Sequence, residues 1–150
     1  LDVKPVTFIT PYEKLDNDTF AAAQENGIQY ISSDVINDPP PYDIYDNNAG
    51  LHRFPQTALT GNVNGNGTQW IEYAPEEVLE DVHDSLDKYG FAVVTMHPQE
   101  YSVREGINFH NEVKMSHIKD LETLLDKLQN EGLQIVTISQ IQHQYAVALD

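Results

Sequence analysis

Short runs of apolar residues alternate along this chain with stretches in which apolar residues recur every three or four positions. The runs are four to six residues long and lie between glycine, proline or polar residues, as is typical of buried strands. They predict strands over residues 6–9, 28–31, 91–96 and 133–138, and a shorter strand over residues 57–59.

The stretches with helical spacing predict four helices with recognisable ends. Gly27, Gly90 and Gly132 stand where the first three would stop, and Pro75 suits the first turn of the second. The helices run from a cap at Asp16 or Asn17 to about Asn26, from Pro75 to Gly90, along the apolar stripe from Ile118 to Leu128, and from a cap at Ser139 toward Leu149.

The predicted order is strand, helix, strand, a long loop, and then helix, strand, loop, helix, strand, helix. The loop region covers residues 37–67, where proline, glycine and asparagine are dense. Loops of that length are usually functional or disordered. The alternation predicts an α/β fold with a mostly parallel sheet and outer helices. A chain of 150 residues is long enough for a single domain, residues 1–150, with its own core.

The charge of the chain narrows the classes of partner. Only 8 Lys and Arg face 24 Asp and Glu, a net charge of −16. Such a chain repels phosphate backbones and anionic lipid, so we expect no nucleic acid partner. No apolar run approaches the ~20 residues needed to cross a bilayer, so we expect no membrane insertion. The absence of cysteine excludes disulfides, thiolate metal sites and a Cys nucleophile.

The beginning of the chain and two sequons bear on its location. The chain starts at Leu1 and enters a predicted strand almost at once, which indicates a processed or truncated chain. The Asn17-Asp18-Thr19 and Asn66-Gly67-Thr68 sequons would allow glycosylation in a secreted protein.

His97 is the main candidate for chemistry. It follows the apolar run 91–96 directly and precedes Pro98. Loops at the carboxyl ends of parallel strands converge over a rigid scaffold, and catalytic residues gather there. The alternative interpretation is a histidine that only caps the loop.

Several segments of the chain together resemble the C-terminal half of the polysaccharide deacetylases. The segment 90–101, Gly-Phe-Ala-Val-Val-Thr-Met-His-Pro-Gln-Glu-Tyr, resembles the family's fifth motif. Residues 8–12 and 17–31 resemble the third motif and the helix and strand that follow it. The family consists of carbohydrate esterases with an irregular (β/α) barrel. The resemblance implies a hydrolase of N- or O-acetyl groups on a glycan, extracellular or at the cell surface.

The resemblance also implies roles for two catalytic residues. His97 occupies the place of the family's general acid, which protonates the leaving amine. Asp34, at the end of its predicted strand, matches the aspartate that orients that histidine. An aspartate partner raises the pKa of an imidazole and fixes its tautomer, as a proton donor near neutral pH requires. We therefore predict that Asp34 and His97 lie within hydrogen-bonding reach.

Four further residues match the family's substrate-binding positions. Val94 and Met96 lie where the family lines an apolar pocket for the acetyl methyl group. Pro11 and Tyr12 match the end of the third motif, where the Tyr12 backbone N–H could help to hold the oxyanion. One departure is Ile9, which stands where the third motif carries an arginine.

The family's metal and catalytic-base motifs are missing from this chain. We therefore expect no metal on this chain alone, and a divalent ion such as Zn²⁺ only together with the missing N-terminal half. His110 and His117 are seven residues apart and could face each other across a loop, but nothing in the sequence fixes them there. The acidic residues between 34 and 46 are best interpreted as a solvated loop.

Three functional hypotheses follow. The first is a deacetylase to which this chain supplies the general-acid half, inactive by itself. The second is a non-catalytic carbohydrate-binding or structural module derived from that fold. In the third, a separate chain or a second copy supplies the missing strands, and we expect a homodimer or association with that half because open strand edges pair readily. Four aromatic residues that flank the long loop, Trp70, Tyr73, Tyr42 and Tyr45, could stack on sugar rings or serve structure only.

Overall fold

The computed structural model describes residues 4–33, 51–67, 69–105 and 108–141. The chain divides into two compact units, one of Leu1–Gln56 with Val136–Asp150 and one of Thr57–Ile135, and each is described by itself. The single domain expected over residues 1–150 stays a prediction. None of the helices in the described ranges is long and apolar enough to cross a membrane.

The first unit contains a small parallel sheet with the order β1-β2-β3. Its strands are β1 (Thr7–Ile9), β2 (Tyr30–Ser32) and β3 (His52–Arg53), and helix α1 (Asn17–Glu25) joins the first two. The carboxylate of Asp16, one of the two caps that the sequence allows, caps α1 by accepting the backbone N–H of Thr19 at 2.8 Å. The buried core of this unit is Ala23, Ile31 and Leu51.

The second unit is built on two long helices. They are α2 (Pro75–Tyr89) and α3 (Met115–Asn130). Both were predicted, and Gly90 ends α2 in the left-handed conformation (φ 74°) that glycine adopts without strain. The two helices bury one core together with strand β4 (Ala58–Leu59). The members of this core are Ala58, Val78, Val82, Leu124 and Leu128.

The strands of the second unit are short. A parallel pair joins β4 (Ala58–Leu59) to β7 (Val94–Thr95). Two antiparallel hairpins join β5 (Gly61–Val63) to β6 (Trp70–Glu72) and β8 (Ser102–Glu105) to β9 (Asn108–Val113). The protein is therefore a mixed α/β chain with small, partly antiparallel sheets.

The strands of the structure differ from the predicted ones in several places. The run 91–96 forms a strand only at β7, and its residues from 92 to 95 are half-buried rather than fully buried. The region 37–67, expected to be a loop with one strand, also contains β3 and β5 in its described part. The loop expected after His97 contains the β8–β9 hairpin. These strands are too short and too polar for periodicity to reveal, because their pairing depends on partners elsewhere in the chain.

The strand predicted over residues 133–138 is wrong. Residues 133–137 are irregular, and helical conformation begins at Ile138. The side-chain oxygen of Gln140 accepts the Thr137 backbone N–H at 2.8 Å and its hydroxyl at 2.9 Å. Thr137, rather than Ser139, thus begins this helical turn, because a Thr-x-x-Gln capping arrangement satisfies the backbone locally. The rest of the helix predicted toward Leu149 lies outside the described residues.

Candidate functional site

The candidate site lies in the second unit, where strand β7 leads into a short 3-10 helix, Pro98–Tyr101. His97 precedes the helix in extended conformation, and Pro98 at its first position lacks the N–H that would otherwise be unsatisfied. The His97 side chain is 42% exposed, so one edge of its ring is open to solvent.

The buried carboxylate of Glu100 is the centre of the site. Glu100 is 0% exposed. Its Oε1 accepts the His97 backbone N–H at 2.8 Å and lies 2.9 Å from His97 Nδ1. Its Oε2 accepts the Thr60 hydroxyl at 2.6 Å and lies 3.3 Å from Nε2 of His117. A buried carboxylate needs such donors to offset its desolvation, and this one is fully surrounded by them.

His117 lies behind Glu100, in the first turn of α3, with its side chain 4% exposed. Its Nδ1 is 3.7 Å from Asp120 Oδ2 and 3.9 Å from Glu72 Oε2. Within the described residues this nitrogen has no hydrogen-bond partner. The His117 ring also packs on that of Tyr101, with centroids 4.9 Å apart. His117 is thus a histidine enclosed by protein, in contrast to the accessible His97.

Tyr101, the residue after Glu100, has a half-buried phenol. Burial raises the pKa of its phenol, and the charge of Glu100 raises that pKa further. The phenol O–H donates a weak hydrogen bond to Sδ of Met96 at 3.4 Å. Tyr101 therefore stays neutral, and it connects the buried cluster to the exposed Met96.

Trp70 packs against the ring of His97. The two rings meet edge to face with centroids 5.2 Å apart. The indole lies so close to Gly61 that a Cβ there would be 2.4 Å from its Nε1. The Arg104 guanidinium lies 5.7 Å from the Trp70 ring and 5.5 Å from that of Phe109. Trp70, Arg104 and Phe109 thus form an aromatic and cationic surface that reaches the His97 ring through Trp70.

Glu72 anchors the charges around this surface. Its carboxylate pairs with Lys114 and lies 3.7 Å from the Arg104 guanidinium. A small pocket with a cavity volume of about 10 Å³ lies beside the cluster. Its lining is Thr60, Tyr73, Pro75, Val78, Tyr101, His117, Asp120, Leu121 and Leu124. The pocket shares Thr60, Tyr101 and His117 with the surroundings of Glu100.

The predicted site residues fall into three groups. His97, Val94 and Met96 lie together on and just after β7, with Val94 half-buried and Met96 40% exposed. Pro11 and Tyr12 lie in the first unit. Asp34 lies outside the described residues, so its pairing with His97 stays a prediction.

Tyr12 has an unusual backbone conformation. Its side chain is 94% exposed and its φ is 53°, in the left-handed region that costs a non-glycine residue about 1–3 kcal/mol. The role of its backbone N–H in holding an oxyanion also stays a prediction.

Sequence reasoning missed Glu100 as a partner of His97. The available signal was the spacing His-Pro-x-Glu, because a glutamate three residues after the first residue of a helical turn can accept that residue's N–H. It also missed Thr60 and His117, which lie 40 and 17 residues from Glu100 in sequence.

In the part of the chain that the structure describes, no three His, Asp or Glu side chains are placed to hold a metal ion. His110 lies on β9 with its side chain 49% exposed, 3.9 Å from the Glu105 carboxylate, whereas His117 is enclosed.

No family model, curated protein or solved structure matches this chain.

Proposed function

We propose that this chain is the part of a metal-dependent carbohydrate deacetylase that supplies the general acid, His97, for hydrolysis of an N- or O-acetyl group on a glycan. The observation that carries the proposal is the His97 ring itself. Its Nδ1 lies 2.9 Å from a fully buried carboxylate while the side chain remains 42% exposed. A histidine held at one nitrogen and open at the other has the geometry of an acid–base catalyst.

The chemistry of this arrangement involves Nε2 of His97. When Nδ1–H donates to Glu100, the ring can pick up or release a proton only at Nε2. A protonated ring donates from Nε2 to the departing amine or alcohol. Glu100 thus orients the His97 ring, which is the part that the resemblance assigns to Asp34.

The surroundings of His97 support a glycan as the substrate. Trp70 contacts the His97 ring, and the Arg104 guanidinium lies over the Trp70 ring and over that of Phe109, whose side chain is exposed. Aromatic faces stack on sugar rings, and Arg supplies hydrogen-bond donors to hydroxyl and carbonyl oxygens. Val94 and Met96 would receive the acetyl methyl group.

The metal implied by the resemblance does not fit the described residues, which contain no suitable ligand set. Its ligands and the catalytic base belong to the motifs assigned to the missing half, supplied by additional sequence or by another chain. The irregular barrel, the extracellular location and the association with a second copy or with that half are parts of the same proposal.

Acetate release from acetylated chito-oligosaccharides with added Zn²⁺ or Co²⁺ tests the proposal. Two samples are compared: the 150-residue chain, and the chain extended by whatever its gene encodes before Leu1. We expect no turnover from the first and turnover from the second that is lost in His97→Gln, with His110→Gln as the matched control. Full activity of the extended His97→Gln protein would refute the assignment of His97.

A second candidate function is a non-catalytic carbohydrate-binding module. Ile9 in place of the family's arginine favours it, as does the Trp70–Arg104–Phe109 surface. The module would bind chito-oligosaccharides with equal affinity in the parent chain and in His97→Gln, would lose affinity in Phe109→Ala, and would release no acetate in either sample.

A further inference from the structure

Four hydrogen-bond donors converge on Glu100, two at each oxygen. The His97 backbone N–H and ring Nδ1 meet Oε1, while the Thr60 hydroxyl and the His117 ring Nε2 meet Oε2. Thr60 Oγ1 is also 3.2 Å from the Thr95 carbonyl, but its 2.6 Å contact with Glu100 is much shorter. The hydroxyl proton therefore points to the carboxylate, whose capacity to accept hydrogen bonds is fully used.

We propose that Glu100 is a positioning residue that fixes His97 as the Nδ1–H tautomer, and that Thr60 and His117 hold Glu100 in place for this task. The kinetic consequence rests on the proposed function, whereas the tautomer does not. The assignment differs from the one implied by the resemblance, because the partner of His97 comes from three residues further along the same turn.

The physical reason is the match of donors and acceptors. With the proton on Nε2 alone, the lone pair of Nδ1 would face the lone pairs of Oε1 at 2.9 Å inside a buried site. With the proton on Nδ1, the same contact is a charge-assisted hydrogen bond. The backbone bond from His97 N–H to the same oxygen fixes where that oxygen lies.

His117 must in turn donate from Nε2, because the atom that it meets on Glu100 only accepts. When the ring is neutral, its Nδ1 is then the unprotonated nitrogen, buried and near the carboxylates of Asp120 and Glu72. Nε2 of His117 and the hydroxyl of Thr60 thus both donate hydrogen bonds to Oε2 of Glu100.

Nitrogen-15 NMR of histidine-labelled protein tests the proposal directly. Two-bond spectra at alkaline pH, where imidazoles are neutral, distinguish the two tautomers of each ring. His97→Gln assigns the His97 signals. In the parent chain we expect the Nδ1–H pattern for His97. A dominant Nε2–H pattern for that ring would overturn the proposal.

Variants then separate positioning from general structural damage. Glu100→Gln keeps the shape but offers one oxygen to four donors, and we expect the fixed Nδ1–H pattern of His97 to be lost. His117→Gln retains a donor near the place of Nε2 and should keep that pattern, whereas His117→Leu should weaken it. An unchanged His97 pattern in Glu100→Gln would refute the inference.

A second route keeps the test decisive if Glu100→Gln does not fold. Thr60→Val removes a single donor, and it should yield a partial shift of His97 toward the Nε2–H form, with His110→Gln as a control that leaves His97 unaffected. An unshifted His97 in Thr60→Val and His117→Leu would then overturn the proposal.

Kinetics distinguishes this inference from the proposed function. Where the extended protein turns over, Glu100→Gln should lower kcat by on the order of 100-fold and leave KM nearly unchanged, because orientation of a general acid affects the transition state. A rise in KM with unchanged kcat would refute the positioning role. Absence of turnover in every sample, with the expected tautomers, would reject the proposed function and leave the positioning of His97 intact.

Discussion

The close contact between Gly61 and Trp70 yields the sharpest prediction. In Gly61→Ala the new Cβ would lie 2.4 Å from Trp70 Nε1, 2.7 Å from the Ile71 carbonyl oxygen and 2.9 Å from Trp70 Cε2. Favourable contacts between such atoms begin near ~3.5 Å, so the indole must move by about 1 Å. The Ile71 carbonyl oxygen cannot move away as easily, because the β5–β6 hairpin pairs Gly61 with Glu72, the residue after Ile71.

This overpacking should lower the free energy of unfolding of Gly61→Ala. Forcing a methyl group into a filled site destabilises a protein by about 1–3 kcal/mol. Trp70 is the only tryptophan of the chain, so its fluorescence reports on this site alone. Urea unfolding followed by that fluorescence should show the loss, and the emission maximum of folded Gly61→Ala should shift.

Gly65→Ala is the matched control. It lies between the same two strands, and nothing approaches the position of its Cβ within 4 Å. We expect its free energy of unfolding to stay within about 0.5 kcal/mol of the parent value. Equal stability and equal emission for the two variants would show that the contact between Gly61 and Trp70 does not constrain the site.

Three further predictions concern the second unit. Leu124→Ala should lower the free energy of unfolding by about 2–5 kcal/mol, measured in urea, because Leu124 is 3% exposed in the core between α2 and α3. Burial, together with neighbouring carboxylates, raises the pKa of Asp81, so its ionised form destabilises the fold above that pKa. Asp81→Asn should therefore raise the melting temperature at neutral pH more than Asp126→Asn does, and the gain should vanish below the ordinary value of 3.8. Tyr101→Phe should remove a phenol that ionises above pH 10 from the ultraviolet titration, because burial and Glu100 raise the pKa of Tyr101.

The helices could be predicted because their signals are local. Asp16 and Gly90 mark helix ends through hydrogen bonds and dihedral angles that involve residues within one turn. The apolar spacing of α2 and α3 selects their buried faces in the same way. The net charge and the absence of cysteine likewise needed no structure to interpret.

The strands and the surroundings of His97 required the tertiary structure. The run 133–138 has strand composition, yet Thr137 and Gln140 satisfy each other locally and begin a helical turn instead. His97 could be selected from its place after an apolar run, and the spacing His-Pro-x-Glu could have indicated Glu100, but the contacts of Thr60 and His117 with Glu100 could not be predicted.

The sequence by itself determined helices α1 and α2 with their ends, the apolar stripe of α3 and the position of one accessible histidine after a short strand. Tertiary structure decided that Glu100 is buried beside this histidine, that His117 and Thr60 contact Glu100, and that Trp70 packs against the His97 ring. The physical reason is the range of the interactions. A cap or an apolar stripe is complete within a few residues, whereas a buried carboxylate is stable only where the fold collects donors from segments as far as 40 residues apart.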